Sequence, residues 1–247
     1  MVSVAETIRA MHDYQARKEG ACIWGQKTPR FIRERGLIER AFPDARWVLI
    51  YRDPRAVVAS MLASKQHTYS VWHACARWNR DNQDIASMVR GGDVPSNVTL
   101  VCYERLIEHF QSEAERVFRF VGVEPIDRAT IERNARPVFF ARSRFPINTV
   151  REGVVPSPEK IQAWRRQLAT EQIERIETQC SELMDALGYR RETSGQASVT
   201  VRWAERLRDL GILYQYLTRW PEYPVVTLLR KLIMACSRMR RRGHQCD

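Results

Sequence analysis

Two short runs constrain this chain more than any other feature: residues 46–51 (RWVLIY) and 97–103 (NVTLVCY). Each is nearly unbroken in apolar, β-branched and aromatic residues, and each is followed by apolar residues at helical spacing. A run without apolar–polar alternation suits a strand buried on both faces. Strands of that kind, joined through helices, form a parallel sheet, and ligands of such sheets bind at the carboxyl ends of the strands. The search for chemistry therefore starts at Lys27, Arg52 and Tyr103, each placed by this reading at a strand end.

The punctuation around the runs predicts the helices. Ser3 and Glu6 have capping-box spacing, so a helix is expected from there to about Lys18, closed by Gly20. Ala21–Trp24 reads as a short apolar run leading into GQKTP. Asp53-Pro54 is an N-cap followed by proline at the first helical position, opening a helix that reaches Ser60. Val71–Val89 reads as a helix closed by Gly91-Gly92, and Leu106, Phe110, Val117, Phe118 and Val121 recur helically up to Gly122. Residues 135–158 are broken by Pro137, Pro146, Pro156 and Pro158. The most periodic segment is Ile173, Ile176, Cys180, Leu183, Met184 and Leu187, ended by Gly188. These signals divide the chain into an α/β domain (1–190), a linker (191–199) and a basic helical extension (200–247).

Charge and cysteine content narrow the classes. The net charge is +11, with basic residues that are overwhelmingly arginine. Residues 200–247 hold ten basic residues against four acidic ones, so +6 of the excess lies there, and no nucleic-acid partner is expected of the remainder. Six cysteines without a C-x-x-C pair read as reduced, buried thiols of a cytoplasmic protein. Five histidines in no ligand spacing give no metal site. No signal peptide or long apolar span is evident, which agrees with the cytoplasmic reading.

Strand-R-D-P-R-x-x-x-x-S carries the chemistry. Arg52 at a strand terminus presents a permanently charged fork suited to phosphate, and Ser60 lies two turns into the following helix. The pair either grips one phosphate from two sides or is a surface arginine and a tolerated helical serine. Gly20–Thr28 nearly spells a Walker loop, but it is one residue too long and too apolar to cradle phosphate.

The segment resembles the 3′-phosphate-binding motif of the sulfotransferases that use 3′-phosphoadenosine 5′-phosphosulfate (PAPS). WGQKTP (24–29), FPDARWVLIYR (42–52), VCYERL (101–106), and WRRQL (164–168) with Leu187-Gly188-Tyr189 are similar, in order, to segments of bacterial-type members. The resemblance covers roughly residues 20–190. It implies a three-layer, P-loop-NTPase-like parallel sheet flanked by helices, and transfer of a sulfuryl group from PAPS to a hydroxyl or amine. The acceptor class (carbohydrate, lipid, peptide or small molecule) stays open. By the same resemblance Arg52 and Ser60 bind the 3′-phosphate and Tyr103 lies near the adenine. Arg55 adds charge near the phosphate, and Arg151 belongs to a loop closing over the nucleotide, with Arg142 and Arg144 as competitors. Lys27 becomes the cation facing the bridging oxygen as it leaves. His12, His67 and His73 are candidate bases without a distinguishing signal.

Family members begin with a strand, a Ser/Gly/Thr-rich loop and a helix around the 5′-phosphosulfate. Here the Ser194-Gly195 pair follows no strand, so the sequence reads as a domain lacking that unit, either an active enzyme or an inactive relative. The alternative is a non-catalytic basic module. Its apolar stripes, Trp203–Leu217 and Val225–Ile233, with the arginines up to Arg242, would lie on an anionic membrane or an acidic partner through 200–242.

Overall fold

Ser3 opens helix α1 (Val4–Lys18) with both bonds of a capping box: its hydroxyl accepts from the Glu6 N–H at 3.1 Å, and Glu6 accepts from the Ser3 N–H at 2.6 Å. The structure, a computed structural model, describes residues 3–64, 70–134 and 158–193. Arg151 and the extension 200–247 lie outside these residues.

The expected strand end at Lys27 does not form. Residues 21–28 are irregular, because Trp24 turns back onto α1 instead of pairing in a sheet: its indole N–H donates to Asp13 at 2.7 Å and its ring stacks on His12 at 4.5 Å. A 3₁₀ turn (Pro29–Glu34) and helix α2 (Arg35–Ala41) then lead to strand β1 (Trp47–Tyr51). Helix α3 (Pro54–Leu62) follows, N-capped by Asp53, and then α4 (Val71–Gly91), which stops at Gly92 in the left-handed region. Strand β2 (Val98–Cys102) is parallel to β1, in register from Trp47 beside Val98 to Tyr51 beside Cys102. The crossover through α3 and α4 is the unit the two apolar runs predict.

Two segments expected as single helices are each divided. Helices α5 (Tyr103–Glu108) and α6 (Phe110–Val121) break at His109, and α9 (Thr170–Gln179) and α10 (Ser181–Ala186) break at Cys180. At the second break the Gln179 carbonyl accepts from the Asn79 side chain at 2.8 Å, a tertiary bond that helical periodicity does not encode. Helix α7 (Arg128–Asn134), a 3₁₀ turn (Pro158–Lys160) and helix α8 (Trp164–Gln167) complete the described elements. Gly122 ends α6 at φ 82°, with the Arg46 guanidinium where a side chain would stand.

The described architecture is mixed α/β, mostly helical, around a two-stranded parallel sheet. One sheet face, with Trp47, Leu49 and Val98, packs on Val58, Ala74, Cys75, Trp78, Ile176 and Met184 of α3, α4, α9 and α10. Burial of each such large side chain contributes about 1.5–3 kcal/mol. The other face is only half covered. Arg116 of α6 donates to the Thr99 hydroxyl at 2.5 Å, while Val48 and Ile50 remain 36% and 57% exposed. The expectation that β1 is buried on both faces therefore fails among the described residues. Burial of the thiols is likewise mixed: Cys75 and Cys180 are buried, Cys102 is half-buried and Cys22 is exposed.

Candidate functional site

Register places the site. Because Tyr51 lies beside Cys102, the next residue of each chain segment, Arg52 and Tyr103, also face each other. The Arg52 guanidinium carbon stands 4.1 Å from the Tyr103 ring centroid, a cation–π contact. One terminal nitrogen of Arg52 donates to the Lys160 carbonyl at 2.8 Å, tying the strand end to the 3₁₀ turn Pro158–Lys160. Its Nε is buried and has no hydrogen-bond partner among the described residues. A buried guanidinium N–H without a partner is costly, and an anionic oxygen is the acceptor that best relieves it.

The adjoining turn is held from several directions. The Asp53 carboxylate accepts from the Arg55 N–H at 2.8 Å, as its N-cap position dictates, and also from the Arg55 guanidinium at 2.7 Å. Arg55 donates to Glu177 at 2.6 Å, and its guanidinium lies 4.3 Å from the Trp164 ring centroid. Glu177 further accepts from the Glu192 and Thr193 N–H groups and from the Thr193 hydroxyl. Burial alone would raise the Glu177 carboxyl, but these donors outweigh it and hold the group below its ordinary value. Burial likewise opposes the charge on Arg55, and Asp53 and Glu177 outweigh it. Arg55, Asp53 and Glu177 are all buried, so Arg55 faces carboxylates and an indole in a closed cluster. Glu192 and Thr193, where the sequence suggests a linker, dock on this cluster.

Ser60 and Lys27 are placed differently. Ser60 is exposed in the last turn of α3, while Ala56, Val58 and Ala59 of the same helix are buried. Lys27 is exposed on the irregular loop 21–28. Among the described residues no hydrogen bond, ion pair or ring contact joins either to Arg52. The loop itself is anchored through the Trp24–His12 stack, a Gln26–His12 contact at 2.9 Å and a Trp24–Phe42 edge contact at 6.3 Å. His73 pairs with the Ser70 hydroxyl at 3.1 Å at the start of α4.

Glu104, Trp78 and Tyr189 also converge at the strand ends, and sequence reasoning missed all three as site residues. Glu104 accepts from the Asp53 N–H at 3.0 Å and from the Tyr189 hydroxyl at 3.0 Å, while the Trp78 indole donates to the Arg52 carbonyl at 3.0 Å. A signal for Glu104 existed: it is a carboxylate set directly after a buried run. Among the described residues no cluster of three or more His, Cys, Asp or Glu is arranged to hold a metal, and no helix is long and apolar enough to cross a membrane.

The parallel strand pair delivers an arginine stacked on a tyrosine ring to the start of a helix, the arrangement of an α/β protein with its polar groups gathered at the carboxyl ends of its strands. Residues 3–127 match the sulfotransferase family, and the chain belongs to it. It is 30% identical over 90 residues to a putative protein-tyrosine sulfotransferase of Caenorhabditis briggsae, covering 35% of this chain and 32% of that protein. It is 21% identical over 176 residues to carbohydrate sulfotransferase 1 of Danio rerio, covering 63% of this chain and 41% of that one. The chain thus spans well under half the length of either relative. No solved structure matches it.

Proposed function

We propose that the chain is a sulfotransferase that takes its sulfuryl group from PAPS, carries a 3′-phosphate-binding site at Arg52 and uses a hydroxyl or amine acceptor. The observation that carries the proposal is Arg52: stacked on Tyr103, fixed by the Lys160 carbonyl, and left with a buried Nε that lacks an acceptor among the described residues. That donor set fits a phosphate oxygen. PAPS, when bound, supplies the activated sulfuryl group. Arg52 binds the 3′-phosphate and Tyr103 offers a ring to the nucleoside, while Ser60 is assigned as the second phosphate ligand and Arg151 as a further cation over the nucleotide. Lys27 is assigned to stabilise charge on the departing bridging oxygen, where a fixed cation lowers the barrier. Arg55 contributes through the carboxylates that hold the turn, since its donors face Asp53 and Glu177. The parallel pair β1–β2 is read as part of a three-layer, P-loop-like sheet.

Isothermal titration with 3′-phosphoadenosine 5′-phosphate tests the reading. Binding is expected for the wild type and loss of it for the variant Arg52→Ala with Ser60→Ala. Absence of wild-type binding, or affinity unchanged in the double variant, overturns it.

A further inference from the structure

We infer that Glu104 is a positioning residue that sets the aim of Arg52, and so governs selectivity for a 3′-phosphorylated nucleotide. The inference rests on the reading of Arg52 as the phosphate ligand. It starts from the peptide unit joining Arg52 to Asp53, which is held from both sides. Its carbonyl, that of Arg52, accepts from the Trp78 indole at 3.0 Å, and its N–H, that of Asp53, donates to Glu104 Oε1 at 3.0 Å. A peptide unit is planar, so fixing its carbonyl and its N–H fixes the plane in which the Arg52 Cα lies and, with the backbone of β1 paired up to Tyr51, narrows the directions in which that Cα projects its side chain.

Glu104 is itself held in place. Its Oε2 accepts from the Tyr189 hydroxyl at 3.0 Å and from the Cys102 thiol at 3.3 Å. Burial first, and then the facing carboxylate, push the Tyr189 phenol far up, so it stays a donor. Tyr189 in turn meets Tyr51 edge-on at 6.3 Å. One carboxylate therefore joins the end of β1, the end of β2 and the segment after α10. Glu104 is also the chain neighbour of Tyr103, the ring under the Arg52 guanidinium. The Asp53–Glu104 bond thus fixes the spacing at which the cation and the ring face each other.

A residue that only supports the fold weakens every ligand alike. One that aims Arg52 affects only the 3′-phosphate. Titration of the full chain with 3′-phosphoadenosine 5′-phosphate and with adenosine 5′-phosphate separates the two. For Glu104→Ala the first affinity is expected to fall about tenfold, the equivalent of one hydrogen bond to a charged group, with the second unchanged within about threefold. Glu104→Gln keeps the reach to the Asp53 N–H and restores the discrimination. Glu104→Asp keeps the charge, shortens the reach by one methylene and behaves like the alanine variant. Equal weakening of both nucleotides, or unchanged affinity for both, overturns the inference, as does failure of both the alanine and aspartate variants to fold. If the wild type does not bind the 3′-phosphorylated nucleotide, the assignment of Arg52 fails first. If the wild type binds and only Arg52→Ala loses it, Arg52 stands and the role of Glu104 falls.

Discussion

The turn after β1 and the loop before the 3₁₀ turn Pro29–Glu34 each carry a candidate cation, and they hold it in opposite ways. Arg52 leaves a strand whose register is fixed over five residue pairs, and its peptide, ring partner and terminal nitrogen are all engaged. Lys27 leaves an irregular segment anchored on α1 through Trp24 and Gln26, and its own side chain is exposed. A group built as Arg52 is pre-aimed before any ligand arrives, whereas one built as Lys27 acquires its direction from the ligand. On the proposed function, binding selectivity belongs to the first segment, and the chemistry assigned to Lys27 depends on contacts made in the complex.

The comparison is tested most severely at the buried cluster behind Arg52. Glu177→Ala removes one of the two carboxylates buried with Arg55, together with the acceptor of the Glu192 and Thr193 N–H groups, and is expected to destabilise the fold by about 3 kcal/mol, measured by urea unfolding. Replacing both residues, Arg55→Met with Glu177→Met, is expected to lose less than Arg55→Met alone, because it strips the guanidinium from one buried carboxylate, Asp53, instead of two. If the double variant is the less stable, the cluster does more than neutralise itself.

Next in size are the two cations themselves. Arg52→Ala is expected to weaken 3′-phosphoadenosine 5′-phosphate about 100-fold, the loss of charge-assisted bonds to a dianion. Lys27→Ala is expected to leave that affinity within about threefold while turnover of PAPS, followed by release of its nucleotide product, falls about 100-fold. An affinity loss in the lysine variant as large as that in the arginine variant would erase the distinction between the two segments.

Acid titration gives a smaller and graded effect. The folded-state value of the Glu177 carboxyl lies below its ordinary 4.5, so its stabilisation is complete above that value and is lost as pH falls through the folded one. Thermal midpoints measured from neutral pH downward should therefore fall more steeply for the wild type than for Glu177→Gln. The smallest effect is expected at the loop. Trp24→Ala removes the His12 stack and costs about 1 kcal/mol, with nucleotide affinity unaltered.

Much of the local structure is legible in the sequence because its causes are local. The Ser3–Glu6 capping box, the Asp53-Pro54 helix start and the glycines after α4 and α6 each act within a few residues of their own position. The apolar runs likewise announce β1 and β2, and the helical pattern between them implies their parallel pairing. The errors are of another kind. The strand expected at Lys27 is lost because Trp24 finds His12 and Asp13, and the long helix over 173–187 is divided where Gln179 meets Asn79. Periodicity reports which residues want burial, but not which distant hydrogen bond overrides the last turn of a helix.

By itself the sequence determined that Arg52 stands at a strand end before a capped helix, and that Tyr103 stands at the next strand end. Those positions follow from hydrophobic patterning and cap chemistry alone. Only the tertiary structure decided what surrounds them. It closed Arg55 in a cluster with Glu177, 122 residues away, brought the Lys160 carbonyl to Arg52, and set Glu104 and Trp78 on either side of one peptide. The reason is physical: a charge or a buried N–H is satisfied by whatever partner packing brings within about 3 Å, and sequence separation does not enter that requirement.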